Sequence, residues 1–234
     1  MLRILVVGSC GKKKRTTTTD EPSCGDLCSR DSLSFWQKRL SDFTVIARDM
    51  YTGNQNRELT KGVDLLRSIA GVEVVFVIVS AGFGLVDENE RIPPYDCSFS
   101  GMGKSGILRR SRLLGINADI RRIAGRGFDI AYLALGKGYL TALGTAWQDH
   151  ISGSIVGFDT ELVGRRYAII PAGNETVKKF SGRGYKVHGA AGFKGDLLRI
   201  LGEHALSSGG PYEEVLSWSE PLYIRDLIFS LGSL

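Results

Sequence analysis

Apolar positions follow two rhythms along the chain. Leu2 to Val7, Glu73 to Val79, Asp129 to Leu135 and Tyr167 to Ile170 are short, nearly unbroken apolar runs of strand length. That is the pattern of strands buried on both faces. Between them, Glu58 to Ala70, Lys104 to Ala124, Tyr139 to Ile151 and Lys194 to Leu206 place apolar residues near three-and-four spacing, which predicts amphipathic helices. The alternation predicts an α/β fold: a mainly parallel central sheet flanked by helices, with irregular loop insertions, forming one domain over residues 1–234. The insertions are Arg15 to Asp31 and Asp87 to Gly106, both polar, proline-bearing and longer than most loops. A Gly-Gly-Pro stop after Ser207 and the apolar stretch to Leu234 predict a docking segment over 207–234.

Each strand runs into a small, glycine-bearing loop, at Gly8 to Gly11, Ser80 to Gly84, Gly136 to Tyr139 and Pro171 to Asn174. In a parallel sheet these loops share the carboxyl edge, where such folds bind ligands; the other reading is ordinary turns. No apolar run approaches the roughly 20 residues of a membrane helix, and MLRILVVGSCGKKK is too short in its apolar part for a signal peptide. A cytoplasmic protein without membrane contact is expected. Its four cysteines would then be free thiols, metal ligands or a nucleophile. Thirty Lys and Arg against 25 Asp and Glu leave +5, which favours a polyanionic partner.

Chemistry concentrates in the loops. Ser9-Cys10-Gly11-Lys12-Lys13-Lys14 offers backbone amides and ammonium groups to a phosphate without the spacing of a Walker A loop. Positive neighbours favour a Cys10 thiolate, although a buried small residue beside a solvated basic run fits the same letters. Ser80, Gly82, Tyr95 and Asp96 form a second group. Glycine lets a planar ligand approach, Tyr95 or Tyr51 could stack on a base, and Asp96 could accept from a purine edge or act as general acid or base. Thr52 and Lys137 add a hydroxyl and an amine at loop positions. Capping, core and surface roles remain open for all of them.

Cys24 and Cys28 have the spacing of half a zinc site, but no second pair follows, so structural zinc is a minor alternative and no cofactor is expected. His150, His188 and His204 show no ligand or catalytic spacing. Arg109, Arg110, Arg112, Arg121 and Arg122 make a basic helical stretch suited to backbone phosphates, with Lys194 in a glycine-rich second contact.

In this order, SCGKKK at Ser9, RDMYTG at Arg48, SAGFGLV at Ser80, IPPYDCSF at Ile92 and LGKGYL at Leu135 resemble the YaaA-like superfamily over about the first 145 residues. Within it the motifs are most similar to the DpdC family of the 7-deazaguanine DNA-modification system. The resemblance implies conversion of 7-cyano-7-deazaguanine in double-stranded DNA to the 7-amido base, a nitrile hydration, alongside a DNA transglycosylase. It also implies an alternative, a non-catalytic DNA-binding stress protein. For hydration, Cys10 or Cys97 could form a thioimidate, or Asp96 could activate water while Lys13 or Lys137 protonates nitrogen. Ser9, Tyr51, Thr52, Ser80, Gly82 and Tyr95 are the expected base pocket.

Overall fold

The computed structural model describes residues 1–233. Its strands are β1 (Leu2–Ser9), β2 (Val45–Ile46), β3 (Val72–Ser80), β4 (Gly84–Asp87), β5 (Arg91–Ile92), β6 (Ile130–Leu133), β7 (Ile155–Gly157) and β8 (Tyr167–Ile169). Its helices are α1 (Arg30–Arg39), α2 (Ala47–Met50), α3 (Asn54–Arg67), α4 (Lys104–Leu113), α5 (Ile116–Ala124), α6 (Lys137–Leu143), α7 (Asn174–Gly182), α8 (Gly189–Ser207), α9 (Pro211–Ser217) and α10 (Pro221–Gly232).

Six strands form one sheet in the order β4-β3-β1-β6-β7-β8, and β2 pairs with β5 apart from it. All neighbours in the large sheet are parallel except the edge hairpin of β3 with β4. The expected mainly parallel α/β architecture is the observed one. The apolar continuity of the first strand has its cause here: Ile4, Leu5, Val6 and Val7 of β1 are all buried, because the strand is flanked on both edges and covered on both faces. Helices α3 and α8 pack tightly together with α3 against β1 and β3, while α4, α5 and α6 form a second packed group.

The run from Lys104 to Ala124, which its periodicity predicts as one helix, is two. Gly115 adopts a left-handed conformation (φ +68°) between α4 and α5 and turns the chain. Strand β7 and helices α1 and α7 lie outside the predicted elements; in β7 the apolar run is only Ile155 and Val156, set between Gly153 and Gly157. The apolar end of the chain does form a helix, α10, with Ile224 and Ile228 buried.

Cys24 is joined to Cys97 by a disulfide, tying the first insertion to the second across 73 positions. This corrects the expectation that all four cysteines are free thiols, metal ligands or a nucleophile, and removes Cys24, with Cys28, as a zinc pair: a bridged sulfur has no thiolate to offer a metal. Among the described residues no helix is long and apolar enough to cross a membrane.

Candidate active site

Between β1 and β6 the chain diverges. From β1 it continues through α3 to β3, while from β6 it continues through α6 to β7 on the other side of the sheet. Such a switch point opens a crevice beyond the strand ends. Gln55, in the first turn of α3, spans it: Nε2 donates to Ser9 Oγ at 3.2 Å and to the Ala134 carbonyl at 3.1 Å. Asn56 Nδ2 donates to the Ser9 carbonyl at 3.2 Å. Its buried Oδ1 has no partner among the described residues.

A cleft of about 650 Å³ opens here, walled by Ser9 to Gly11, Lys13, the Thr52 to Arg57 turn, and His188, Ala191 and Gly192. Gly53 begins α3 without a side-chain cap, so the first-turn N–H groups remain available. Lys13 and Arg57 are the fixed charges of the wall, and no carboxylate is among its residues. Amides, positive dipole end and cations together suit an anion.

Cys10 belongs to the wall that β1 supplies, 8% exposed, with Sγ 3.1 Å from the Tyr139 hydroxyl. That hydroxyl is also 3.3 Å from the Cys10 carbonyl and 3.2 Å from Ser98 Oγ. Burial, followed by the charge of Cys10, raises the Tyr139 pKa well above the ordinary phenol value. A phenol that keeps its proton can donate to sulfur as negative charge develops there.

The start of α8 supplies His188 to the same cleft. Its Nδ1 is 2.7 Å from Asp196 Oδ1, and its backbone N–H donates to Oδ2 at 2.7 Å. Asp196 is wholly buried and His188 partly so. A carboxylate that accepts Nδ1–H fixes the tautomer and leaves Nε2 as the proton-exchanging atom. The pair depends on glycine: a Cβ at Gly192 would stand 2.7 Å from His188 Cβ, and one at Gly195 would run into the Gln55 carbonyl. Helix α8 therefore carries His188 up against the turn that holds Gln55 and Asn56.

Glu58, His188 and Asp196 bring possible metal-ligand atoms within 4.8 Å of one another. Both carboxylates are already committed, Glu58 to Lys61 at 2.7 Å and Arg199 at 2.6 Å, Asp196 to His188. An ion-pair network accounts for the cluster without a metal.

Of the residues the sequence singles out, Ser9, Cys10, Lys13 and Thr52 share the cleft. Tyr51, Tyr95, Ser80 and Gly82 do not wall it. They form a buried hydroxyl chain, Tyr51 to Tyr95 at 2.8 Å and Tyr95 to Ser80 at 2.8 Å, with Ser80 Oγ accepting from the N–H groups of Gly82 and Phe83. Stacking a base on either ring is thereby corrected: both tyrosines are buried, Lys14 Nζ lies 4.5 Å over the Tyr95 ring, and Phe83 meets it edge-on. Burial lowers the Lys14 pKa.

Asp96 is exposed and outside the cleft wall, its backbone N–H bonded to the Pro22 carbonyl. Cys97 is bridged to Cys24, so it has no thiol for attack. Lys137 is exposed and ion-paired with Glu161.

Arg109, Arg112, Arg121 and Arg122 are exposed, the last paired with Asp119. Arg110 is instead buried, donating to the carbonyls of Ala81 and Cys24. Lys194 is half-buried with Nζ on the Leu135 carbonyl at 2.6 Å, so it does not present a free ammonium to a strand. His188, incidental by its spacing, is the residue that sequence reasoning misses; the glycines at 189, 192 and 195 are the signal that its helix approaches another backbone. No family model, no curated protein and no solved structure matches the chain.

Proposed function

We propose that the chain is an enzyme that hydrates the nitrile of 7-cyano-7-deazaguanine carried in double-stranded DNA, giving the 7-amide, in a system with a DNA transglycosylase. The observation that carries this reading is the shared cleft of Cys10 and the Asp196-held His188 at the sheet's switch point. A thiol and an oriented imidazole are the two groups that addition to a nitrile needs.

Cys10 Sγ attacks the nitrile carbon as its proton passes by way of His188 Nε2 to the nitrile nitrogen, giving a thioimidate. Water, deprotonated by the same imidazole, adds to that carbon, and the imidazolium passes that proton to the nitrogen. Collapse of the adduct breaks the C–S bond as its hydroxyl proton passes through the imidazole to sulfur, leaving the amide, so the net change is one water added. The Tyr139 hydroxyl stabilises sulfur as it departs. Lys13, Arg57 and the first turn of α3 take a phosphate beside the extruded base, and the unpaired Asn56 Oδ1 supplies an acceptor for a base N–H. His188 takes the acid-base role for which the sequence suggests Asp96.

The exposed arginines of α4 and α5 favour a second reading, a DNA-binding protein without turnover. Nucleoside mass analysis of 7-cyano-7-deazaguanine DNA after incubation separates the two. A product heavier by one water supports hydration, whereas unchanged nucleosides with salt-sensitive DNA binding support the second reading.

A further inference from the structure

We propose that a groove that shares no wall residue with the Cys10 cleft, formed where α4 begins against the disulfide-bridged insertion, is a binding site for a phosphate group. The groove measures about 640 Å³ and is walled by Cys24, Cys28, Gly103, Gly106, Arg109 and Arg110 among others, with no carboxylate in its wall.

Arg110 is the observation that calls for a ligand. It is 8% exposed, its Nε and Nη1 are spent on the Ala81 and Cys24 carbonyls, and its buried Nη2 has no partner among the described residues. A buried guanidinium normally faces a carboxylate; Arg110 forms no ion pair among the described residues, and burial lowers its pKa. The positive charge is therefore uncompensated from within the chain. The start of α4 adds to it. Gly103 caps the ten-residue helix without a side chain, and no acidic residue occupies its first turn. The early N–H groups of α4 are thus available and the positive end of its dipole is bare. Arg109, exposed on the same wall, forms no ion pair among the described residues. The Arg109 guanidinium fork, the single unpaired Nη2 of Arg110 and the helix amides make a donor set for tetrahedral phosphate oxygens. The source is either a phosphodiester of a nucleic-acid strand or a free phosphate.

Cys28 reports on the groove directly, because it is the exposed free thiol and Cys10 is buried. The experiment follows alkylation of Cys28 by neutral iodoacetamide, using peptide mass spectrometry on the intact protein. Inorganic phosphate and an oligothymidine lacking terminal phosphates are compared with chloride at equal ionic strength. Occupation should slow Cys28 alkylation at least about threefold with one or both probes, and Arg109→Gln should remove the protection. Protection by oligothymidine identifies the strand as the source; protection by inorganic phosphate alone identifies a free phosphate. Equal rates in phosphate, oligothymidine and chloride, or protection undiminished in Arg109→Gln, overturn the proposal. The readout involves no turnover, so its failure leaves the hydration reading untouched, and the converse holds.

Discussion

At the scale of single residues, the cleft is walled by a thiol and an imidazole that lie far apart in sequence, Cys10 and His188. Cys10→Ser should lower hydration at least about 10³-fold with DNA affinity kept, since a hydroxyl of ordinary pKa is a far weaker nucleophile. His188→Gln should cost about 10²–10⁴ in kcat with little change in KM, read by single-turnover kinetics on modified DNA. Cys10 is legible as a candidate because its lysine neighbours follow it in sequence. His188 is not, because its partner lies eight residues on and only the folding of α8 turns the carboxylate back to the ring. Asp96, in contrast, looks catalytic in a string of letters and is exposed outside the cleft once folded.

Phenols held away from water set a pH limit, three of them, Tyr51, Tyr95 and Tyr139, near Cys10. Burial raises the pKa values of Tyr51, Tyr95, Tyr132 and Tyr139, and pushes Tyr167 up to about 12. The folded chain keeps protons that the unfolded chain releases near pH 10, so this stability is full below about pH 10 and is lost as pH rises beyond it. Alkaline titration should show tyrosinate absorbance rising together with loss of helical circular dichroism. Smooth ionisation of Tyr51, Tyr95, Tyr132 and Tyr139 in the still-folded protein would contradict their burial.

At the scale of elements, α3 and α8 hold the site because glycine lets their backbones touch. Gly195→Ala would drive a Cβ into the Gln55 carbonyl. Overpacking against backbone should cost about 1–3 kcal/mol or more, measured by denaturant unfolding. It should also lower turnover by displacing the turn at Asn54 to Arg57, whereas Gly209→Ala, where a Cβ meets nothing within 4 Å, should do neither. The long strands are legible from apolar continuity alone. Strand β7 and the break at Gly115 are not, since Ile155 and Val156 stand as a two-residue apolar run between Gly153 and Gly157 and a glycine inside an amphipathic run does not announce a left-handed turn.

At the scale of the whole molecule, the parallel order of the sheet creates the crevice, and the bridge from Cys24 to Cys97 ties the two insertions together. Closing a loop of 73 positions limits the unfolded chain by about 4 kcal/mol in the entropic account. Cys24→Ser should lower the unfolding free energy by up to that amount, and an unchanged denaturation midpoint would contradict the bridge. Cysteine spacing could not disclose this pairing, which joins sulfurs far apart in sequence and near only in the fold.

The most direct test of the account is nucleoside mass analysis of double-stranded DNA containing 7-cyano-7-deazaguanine, incubated with the wild-type protein and with Cys10→Ser. The account predicts a 7-substituted nucleoside heavier by one water with the wild type and unaltered nitrile with the variant. Unaltered nitrile with both proteins, while each still binds the DNA, would contradict it.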